Sequence, residues 1–394
     1  MITVVGGVYA EHCVEPFWDD VYGSGGRAAA AVSAVVPVRL ISYRAVPLAD
    51  GIDNLSRVYN LEVDGPEVSQ GVSFSYMHSL AVPRIVPRPD AIERHAAIQV
   101  DGEVVLRFGM MEGDAVVRAR RAIYDPQSAF GPAPFRGNGS TADELALILN
   151  RVEARRLTGE TDPELAIRRL FEIEDAAAVV LKMGGQGAMV ATSQGILRVP
   201  VYRSERVFKI GSGDVFSGAF ALFWGHEGRP PAEAADLASR AACYYCGSRA
   251  LPLPSAAELT ALELEPVIPG NGRVYLAAPF FDLGQRWTVE ESRSLLLDMG
   301  VDVFSPLHDV GPGPGAVIAS QDLAGLDGAN AVLALLNGAD VGTVFEVGYA
   351  VAKRLPVVAL AQNMRVEDLK MVEGSGCTIV EDLVSAIYHV VWRL

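Results

Sequence analysis

The sequence predicts two α/β units in tandem, each built on a mostly parallel sheet with helices on both faces. Three observations predict it. From residue 122 onward, short β-branched runs alternate with glycine-bearing loops and helix-length stretches, the pattern that buries parallel strands between helices. The same alternation restarts at Arg273, after a stretch with proline at both ends and an acidic middle, LPLPSAAELTALELEPVIPGNG. The chain is 394 residues long and half apolar, enough for two or three cores. The predicted division is residues 1–255, a linker over 256–272, and residues 273–394.

Bulk properties narrow the function. Lys and Arg number 33 against 48 Asp and Glu, a net charge of −15, and no basic stretch stands out, so nucleic acid is not an expected partner. Backbone amide nests bind phosphorylated small molecules even on an acidic protein. Four cysteines are too sparse for a disulfide framework, and Cys243 and Cys246, although spaced CxxC, lie in an apolar helical pattern that reads as core. Residues 1–10 run directly into a strand without a charged leader, and no run of 18 apolar residues suggests a membrane span. A cytoplasmic protein with no membrane partner is expected.

In chain order, residues 2–5 form a β-branched strand ending at Gly6-Gly7, with Glu11 shortly after. The run Gly23-Ser24-Gly25-Gly26-Arg27 reads as a glycine loop opening a helix over 28–35; it fits either a close-packed turn or a contact with a sugar hydroxyl or phosphate. Residues 72–79 and 96–108 alternate, and Asp101-Gly102 reads as the turn of an exposed hairpin able to cover a substrate. Strands then end at Asp125 and at Asn150, and two strands flank the glycine turn at 184–187. In such sheets ligands bind at the carboxyl ends of the strands.

The stretch ERVFKIGSGDVFSG, residues 205–218, has an apolar lead-in, a Gly211-Ser212-Gly213 turn, Asp214, and a helix through residue 225. Glycines turn successive amides toward one point, and the helix adds its positive end, so an anion site results. Asp214 at its lip can accept a hydroxyl proton while the amides stabilise a moving phosphoryl group. A bare G-x-G-D also caps helices with no further role. Here four features occur in order: a GG loop, N-x-x-E at 150–153, K-M-G-x-x-G at 182–187 and G-S-G-D at 211–214. In this combination residues 1–255 resemble the ribokinase-like (PfkB-type) carbohydrate and nucleoside kinases. The resemblance implies a ribokinase-like α/β domain with a small β lid. It implies Asp214 as catalytic base, Gly211, Ser212 and Gly213 as the anion hole, and Lys182, Gly184 and Gly187 on the side of the nucleotide, ATP. It places Asn150 and Glu153 at Mg²⁺ and its waters, Gly25 and Gly26 beside the acceptor, and Glu11 on sugar hydroxyls. That family often carries Asp-Thr-Thr before the glycine loop, the Asp helping to hold a monovalent cation; here Phe208, Lys209 and Ile210 stand there, and the Lys209 ammonium is read as the ion's replacement.

In the second unit, VYLAAPFF at 274–281 is expected as a strand running into a loop, with further strands at 301–306, 331–336 and 356–361 and helices over 288–299, 318–326 and 344–353. Its polar residues Tyr275, Asp322, Asp340 and Glu346 gather at strand ends. Glu346 lies in the apolar run VFEVGYA, where a carboxylate is costly unless paired or used. DVGTVFEVGYA at 340–350, with YLAAPFF at 275–281 and SQDL at 320–323, resembles the nucleoside 2-deoxyribosyltransferase family over about residues 273–365. The resemblance implies a small doubly wound, Rossmann-like parallel domain. Glu346 would be the nucleophile on the anomeric carbon, Asp322 the group that protonates or orients the leaving base, Asp340 a ligand of sugar hydroxyls, and Tyr275 the residue that positions Glu346. Ala278 stands where the family often has Gly, and Asp340 where relatives acting on nucleoside monophosphates carry Ser, which favours an unphosphorylated nucleoside.

Together these readings predict a fused enzyme. Its C-terminal domain cleaves or exchanges a nucleoside's N-glycosidic bond, and its N-terminal domain phosphorylates the released ribose or deoxyribose with ATP. A nucleoside kinase fused to a transferase or hydrolase is the alternative, and a non-catalytic nucleotide sensor in one domain is the third reading. Both families commonly form oligomers, so a homo-oligomer, dimer or higher, is expected.

Overall fold

Runs of Val, Ile, Leu and Ala that are buried on both faces set the central sheet of the first unit. The computed structural model describes residues 1–394, and the chain divides into Met1–Pro266 and Val267–Leu394. In Met1–Pro266 nine strands lie in the order Gly195–Val199, Ala188–Thr192, Ala178–Lys182, Thr141–Asn150, Ala115–Asp125, Ile98–Phe108, Ile2–Val5, Val38–Ile41, Glu62–Asp64. All neighbours pair parallel except along Ala188–Thr192, which runs antiparallel to both of its own. One face packs against Gly23–Val32, Ser212–Phe220 and Pro231–Ser248, the other against Arg151–Thr158 and Pro163–Ile173. Cys243 and Cys246 are buried in Pro231–Ser248 and unpaired. A separate four-stranded sheet, ordered Trp18–Val21, Ala10–Glu15, Ser73–His78, Arg84–Val86, is the small β lid.

Two local expectations are corrected. Asp101-Gly102 is no hairpin turn: Ile98–Phe108 is one continuous strand, with Asp101 opposite Arg118 and Gly102 opposite Ala119. Buried Val104, Val105 and Leu106 carry the chain through the sheet interior, so pairing on a neighbour overrides the turn propensity of the dipeptide. The helix after Tyr22 begins at Gly23, so the glycine run is its first turn and not a loop before it. Gly25 fits there because a Cβ would lie 2.6 Å from the Gly6 carbonyl oxygen, so helix and strand end meet backbone to backbone.

Val267–Leu394 holds a five-stranded parallel sheet ordered Asp302–Phe304, Arg273–Ala277, Ala331–Leu335, Val357–Leu360, Thr378–Val380. Its first helix is longer than the pattern suggests. It begins at Leu283, because Asp282 and Gln285 close a capping box ahead of the amphipathic stretch. No helix of the chain is long and apolar enough to cross a membrane.

Candidate active sites

In the first unit the carboxyl ends of neighbouring strands bring Asp125, Asn150 and Lys182 to one edge of the sheet, facing the start of Ser212–Phe220. Gly211 caps that helix in the left-handed region, at φ 76°. The Ser212 amide donates to the Lys209 carbonyl and that of Val215 to Gly211. The first-turn amides of Gly213 and Asp214 are therefore the ones helix geometry leaves for an anion. Lys182 stands over this turn: a Cβ on Gly213 would lie 3.4 Å from its Nζ. Its Nζ donates to Asp125 Oδ2 at 2.7 Å, and the same oxygen accepts from Ser217 Oγ at 2.8 Å. Burial pulls the Lys182 ammonium down, but Asp125 and Glu153 outweigh it and hold the group above its usual value. Lys209 Nζ donates to Ser212 Oγ at 2.6 Å, which sets a second ammonium beside the glycine turn.

Asn150 and Glu153 form a capping box on Arg151–Thr158: the Asn150 Oδ1 accepts from the Glu153 amide at 2.9 Å and Glu153 Oε2 from the Asn150 amide at 2.8 Å. Burial and the nearby Asp125 push the Glu153 carboxyl up to about 7. Gly184 and Gly187 turn the chain between Ala178–Lys182 and Ala188–Thr192 at positive φ. A Cβ on Gly187 would lie 2.3 Å from the Val199 carbonyl oxygen, so glycine is required by packing there.

Asp214 is buried, 8% exposed. Its Oδ1 accepts from Gln127 Nε2 at 2.9 Å and its Oδ2 from Arg27 Nη1 at 3.3 Å. Burial raises its carboxyl, and Arg27 and Gln127 act in the opposite direction. Glu11 does not stand open to a sugar. Both of its oxygens accept from the Arg27 guanidinium, Oε1 from Nη1 at 3.0 Å and Oε2 from Nη2, and Oε1 also accepts from the Gly23 amide. A carboxylate buried this deeply takes the cation the fold offers, and Arg27 lies one helical turn past Gly23. Gly25 and Gly26 are buried in that helix, and the Gly25 amide donates to the Gly7 carbonyl.

In the second unit the hydroxyl of Tyr275, a buried residue in the middle of the interior strand Arg273–Ala277, donates to Glu346 Oε1 at 2.6 Å, and its ring stacks on Phe304 at 5.4 Å. Glu346 belongs to Val341–Ala352 and Asp322 to Gly315–Asp327. Burial pushes the Glu346 carboxyl up to about 7; the Tyr275 bond lowers it, while Asp322 and Asp340 add to the rise. Asp322 is the group that the resemblance sets at the leaving base. Burial raises its carboxyl, and its Oδ1 is buried with no hydrogen-bond partner, but Glu346 is raised too because it lies deeper. Asp340 caps its helix, its Oδ2 accepting from the Thr343 amide at 2.8 Å and the Thr343 hydroxyl at 3.0 Å.

Sequence reasoning placed Arg27 only at the end of a glycine run, and Asp125 only as a strand end; Gln127 it passed over. A signal for Arg27 was available. A charged residue inside GSGGRAAAAV is as anomalous as Glu346 in its own apolar run, and the same rule, pair it or use it, applies to both. Gln127 lies in the segment after Asp125 with no pattern to single it out.

Residues 145–254 match the model of the pfkB family carbohydrate kinases, and residues 274–379 that of nucleoside 2-deoxyribosyltransferase. No curated protein matches the chain significantly. Among solved structures, ribokinase from Thermotoga maritima is 18% identical, over 66% of this chain and 98% of that one, at a TM-score of 0.46. Ribokinase from Arabidopsis thaliana, complexed with ribose and ATP, is 16% identical over 66% and 97%, at 0.48. A pyrophosphate-dependent kinase in the ribokinase family, complexed with a pyrophosphate analog and myo-inositol, is 16% identical over 66% and 100%, at 0.46.

Proposed function

With a pfkB-type kinase domain and a nucleoside 2-deoxyribosyltransferase-like domain in one chain, we propose that this protein is a bifunctional salvage enzyme. The second unit breaks or exchanges the N-glycosidic bond of a nucleoside, and the first phosphorylates the freed ribose or deoxyribose with ATP. The observation that carries the reading is that each unit holds a shielded carboxylate aimed by a named donor, half-buried Glu346 by Tyr275 and buried Asp214 by Gln127 and Arg27.

At the glycosidic site the Glu346 carboxylate attacks the anomeric carbon as the bond to the base nitrogen breaks. The base leaves with a proton from Asp322, whose half-buried carboxyl is raised by burial and so suits a general acid. Water then displaces the sugar from Glu346 in hydrolysis, or a second base does so in transfer, its proton passing to the Asp322 carboxylate and Glu346 leaving as a carboxylate. Asp340 keeps one oxygen for a sugar hydroxyl while the other caps the helix. At the kinase site the acceptor hydroxyl attacks the γ-phosphorus of ATP, its proton passes to Asp214 and ADP departs. The Gly213 and Asp214 amides and Lys182 face the charge on the moving group. The chain builds no cluster of three metal-holding side chains. Mg²⁺ needs none, since it keeps its waters and takes one or two carboxylates with substrate phosphates. Glu153 fits that role, because a dication would draw off the proton that burial and Asp125 favour. Bound there, the ion would offset phosphate charge.

Incubating the protein with a panel of nucleosides, with and without ATP and Mg²⁺, and identifying products by mass spectrometry tests the reading. Free base in both conditions and sugar phosphate only with ATP are expected. Base release without any sugar phosphate, or a phosphorylated nucleoside with its base attached, overturns the coupling.

A further inference from the structure

Arg27 is the largest charged side chain in the fully buried interior, 1% exposed, and no resemblance assigns it a part. It lies on Gly23–Val32 and reaches three other elements. Its Nη1 and Nη2 hold Glu11 on the lid strand Ala10–Glu15, its Nη1 also holds Asp214 on Ser212–Phe220, and its Nε donates to the Tyr245 hydroxyl of Pro231–Ser248 at 3.0 Å. The guanidinium also lies 5.0 Å from the centre of the Tyr22 ring. Its stem presses on the glycine turn: a Cβ on Gly211 would lie 2.1 Å from Arg27 Cδ and Nε. Gly211 is thus glycine both for its φ and for room to seat this arginine.

The charge balance explains why a cation is needed. Asp214 is faced by Glu11 and Tyr76 from the lid, by Asp125 and Lys182 from the ends of the sheet strands, and by Gln127 from the following loop. Asp20, Tyr22 and Tyr245 face Arg27 itself. Three carboxylates in a closed pocket repel one another, and Lys182 is already committed to Asp125. Of the groups acting on Asp214, Arg27 is the strongest that favours its charged form. Resting on the kinase reading above, we propose that Arg27 is a positioning residue for phosphoryl transfer, joining the lid strand through Glu11 to Asp214 and holding that base as an oriented carboxylate. The bond to Asp214, at 3.3 Å, is longer than that from the same nitrogen to Glu11, so an acceptor hydroxyl can replace it at Oδ2 while Arg27 stays anchored.

The test follows the titration of Asp214 directly. Protein labelled with ¹³Cγ-aspartate is titrated by NMR, with Asp214→Asn assigning the signal. Arg27→Met alone leaves two buried carboxylates unpaired and is prone to unfold. The variants are therefore Arg27→Lys, Glu11→Gln, and the double Glu11→Gln with Arg27→Met. Relative to Glu11→Gln, the double variant should raise the Asp214 midpoint by about one pH unit or more, the usual reach of a neighbouring arginine. Arg27→Lys should fall between, since it keeps the charge and loses the fork. An unchanged midpoint overturns the inference. In parallel, the acid limb of kcat/KM for sugar phosphorylation should move with the NMR midpoint. Faster phosphorylation in the double variant than in the parent also overturns it, because Arg27 would then be masking the base. If no acceptor is phosphorylated by the parent but the NMR midpoint shifts, the electrostatic role of Arg27 stands and the kinase reading falls.

Discussion

The Tyr275 hydroxyl and the Glu346 carboxylate meet at 2.6 Å, and this one bond opposes the burial that pushes Glu346 up to about 7. Attack on carbon needs the ionised form. Base release should therefore decline as pH falls through about 7. Tyr275→Phe removes the lowering influence, so the carboxyl rises further and the acid limb moves to higher pH. The loss should be larger at pH 6 than at pH 9, where Glu346 is ionised in both proteins. A pH–rate profile with the same midpoint in parent and variant would refute this account.

Asp214→Asn keeps the shape of the side chain and its bond to Arg27 but cannot take a proton. Phosphoryl transfer should fall by about two decades or more, the scale of a lost general base. Base release by the second unit should be unaffected. The check is steady-state kinetics of both reactions on one preparation; sugar phosphate formed at near-parental rate removes Asp214 from the mechanism.

Lys209 places its ammonium on Ser212 Oγ at 2.6 Å, in the first turn of the helix that carries Asp214. The reading to be tested is that this fixed cation replaces a bound monovalent ion. Phosphorylation should be nearly indifferent to exchange of K⁺ for Na⁺, and Lys209→Thr should lower it. A steep K⁺ requirement in the parent protein contradicts the assignment.

What the sequence made legible follows the strength of local signals. Period and glycine punctuation carried the two sheets, because strands such as Ala178–Lys182 and Ala331–Leu335 are continuous apolar runs that local composition alone declares. Asp101-Gly102 misled, because its partners across the sheet are distant in sequence and a dipeptide carries no trace of them. The residues aligned along single motifs, Asp214 and Glu346, were visible as acids at helix starts or in apolar runs. The grip of Arg27 on Glu11 and Asp214 was not, since it joins positions 16 and 187 residues apart. Asn150 and Asp340 fall in motifs that the resemblances read as functional, and the geometry shows that each also caps a helix.

Glu346→Gln is the sharpest test of the second unit. The amide keeps the volume and can still accept from Tyr275, so the fold should survive while the nucleophile is lost. Base release should drop by several decades and phosphorylation of added sugar should not change. Stability supplies an independent sign. Folding raises the Glu346 carboxyl from the ordinary glutamate range to about 7, so the native state favours its protonated form. That contribution is fully present at low pH and is lost as pH rises through about 7. Gln cannot ionise, so the melting temperature of the variant relative to the parent should climb between pH 5 and pH 8. With the parent enzyme, a slowly turned-over 2-fluoro-2-deoxy nucleoside should leave a sugar adduct on the peptide that carries Glu346. An adduct on another peptide, or base release at parental rate by Glu346→Gln, would require water or a different side chain to attack the anomeric carbon.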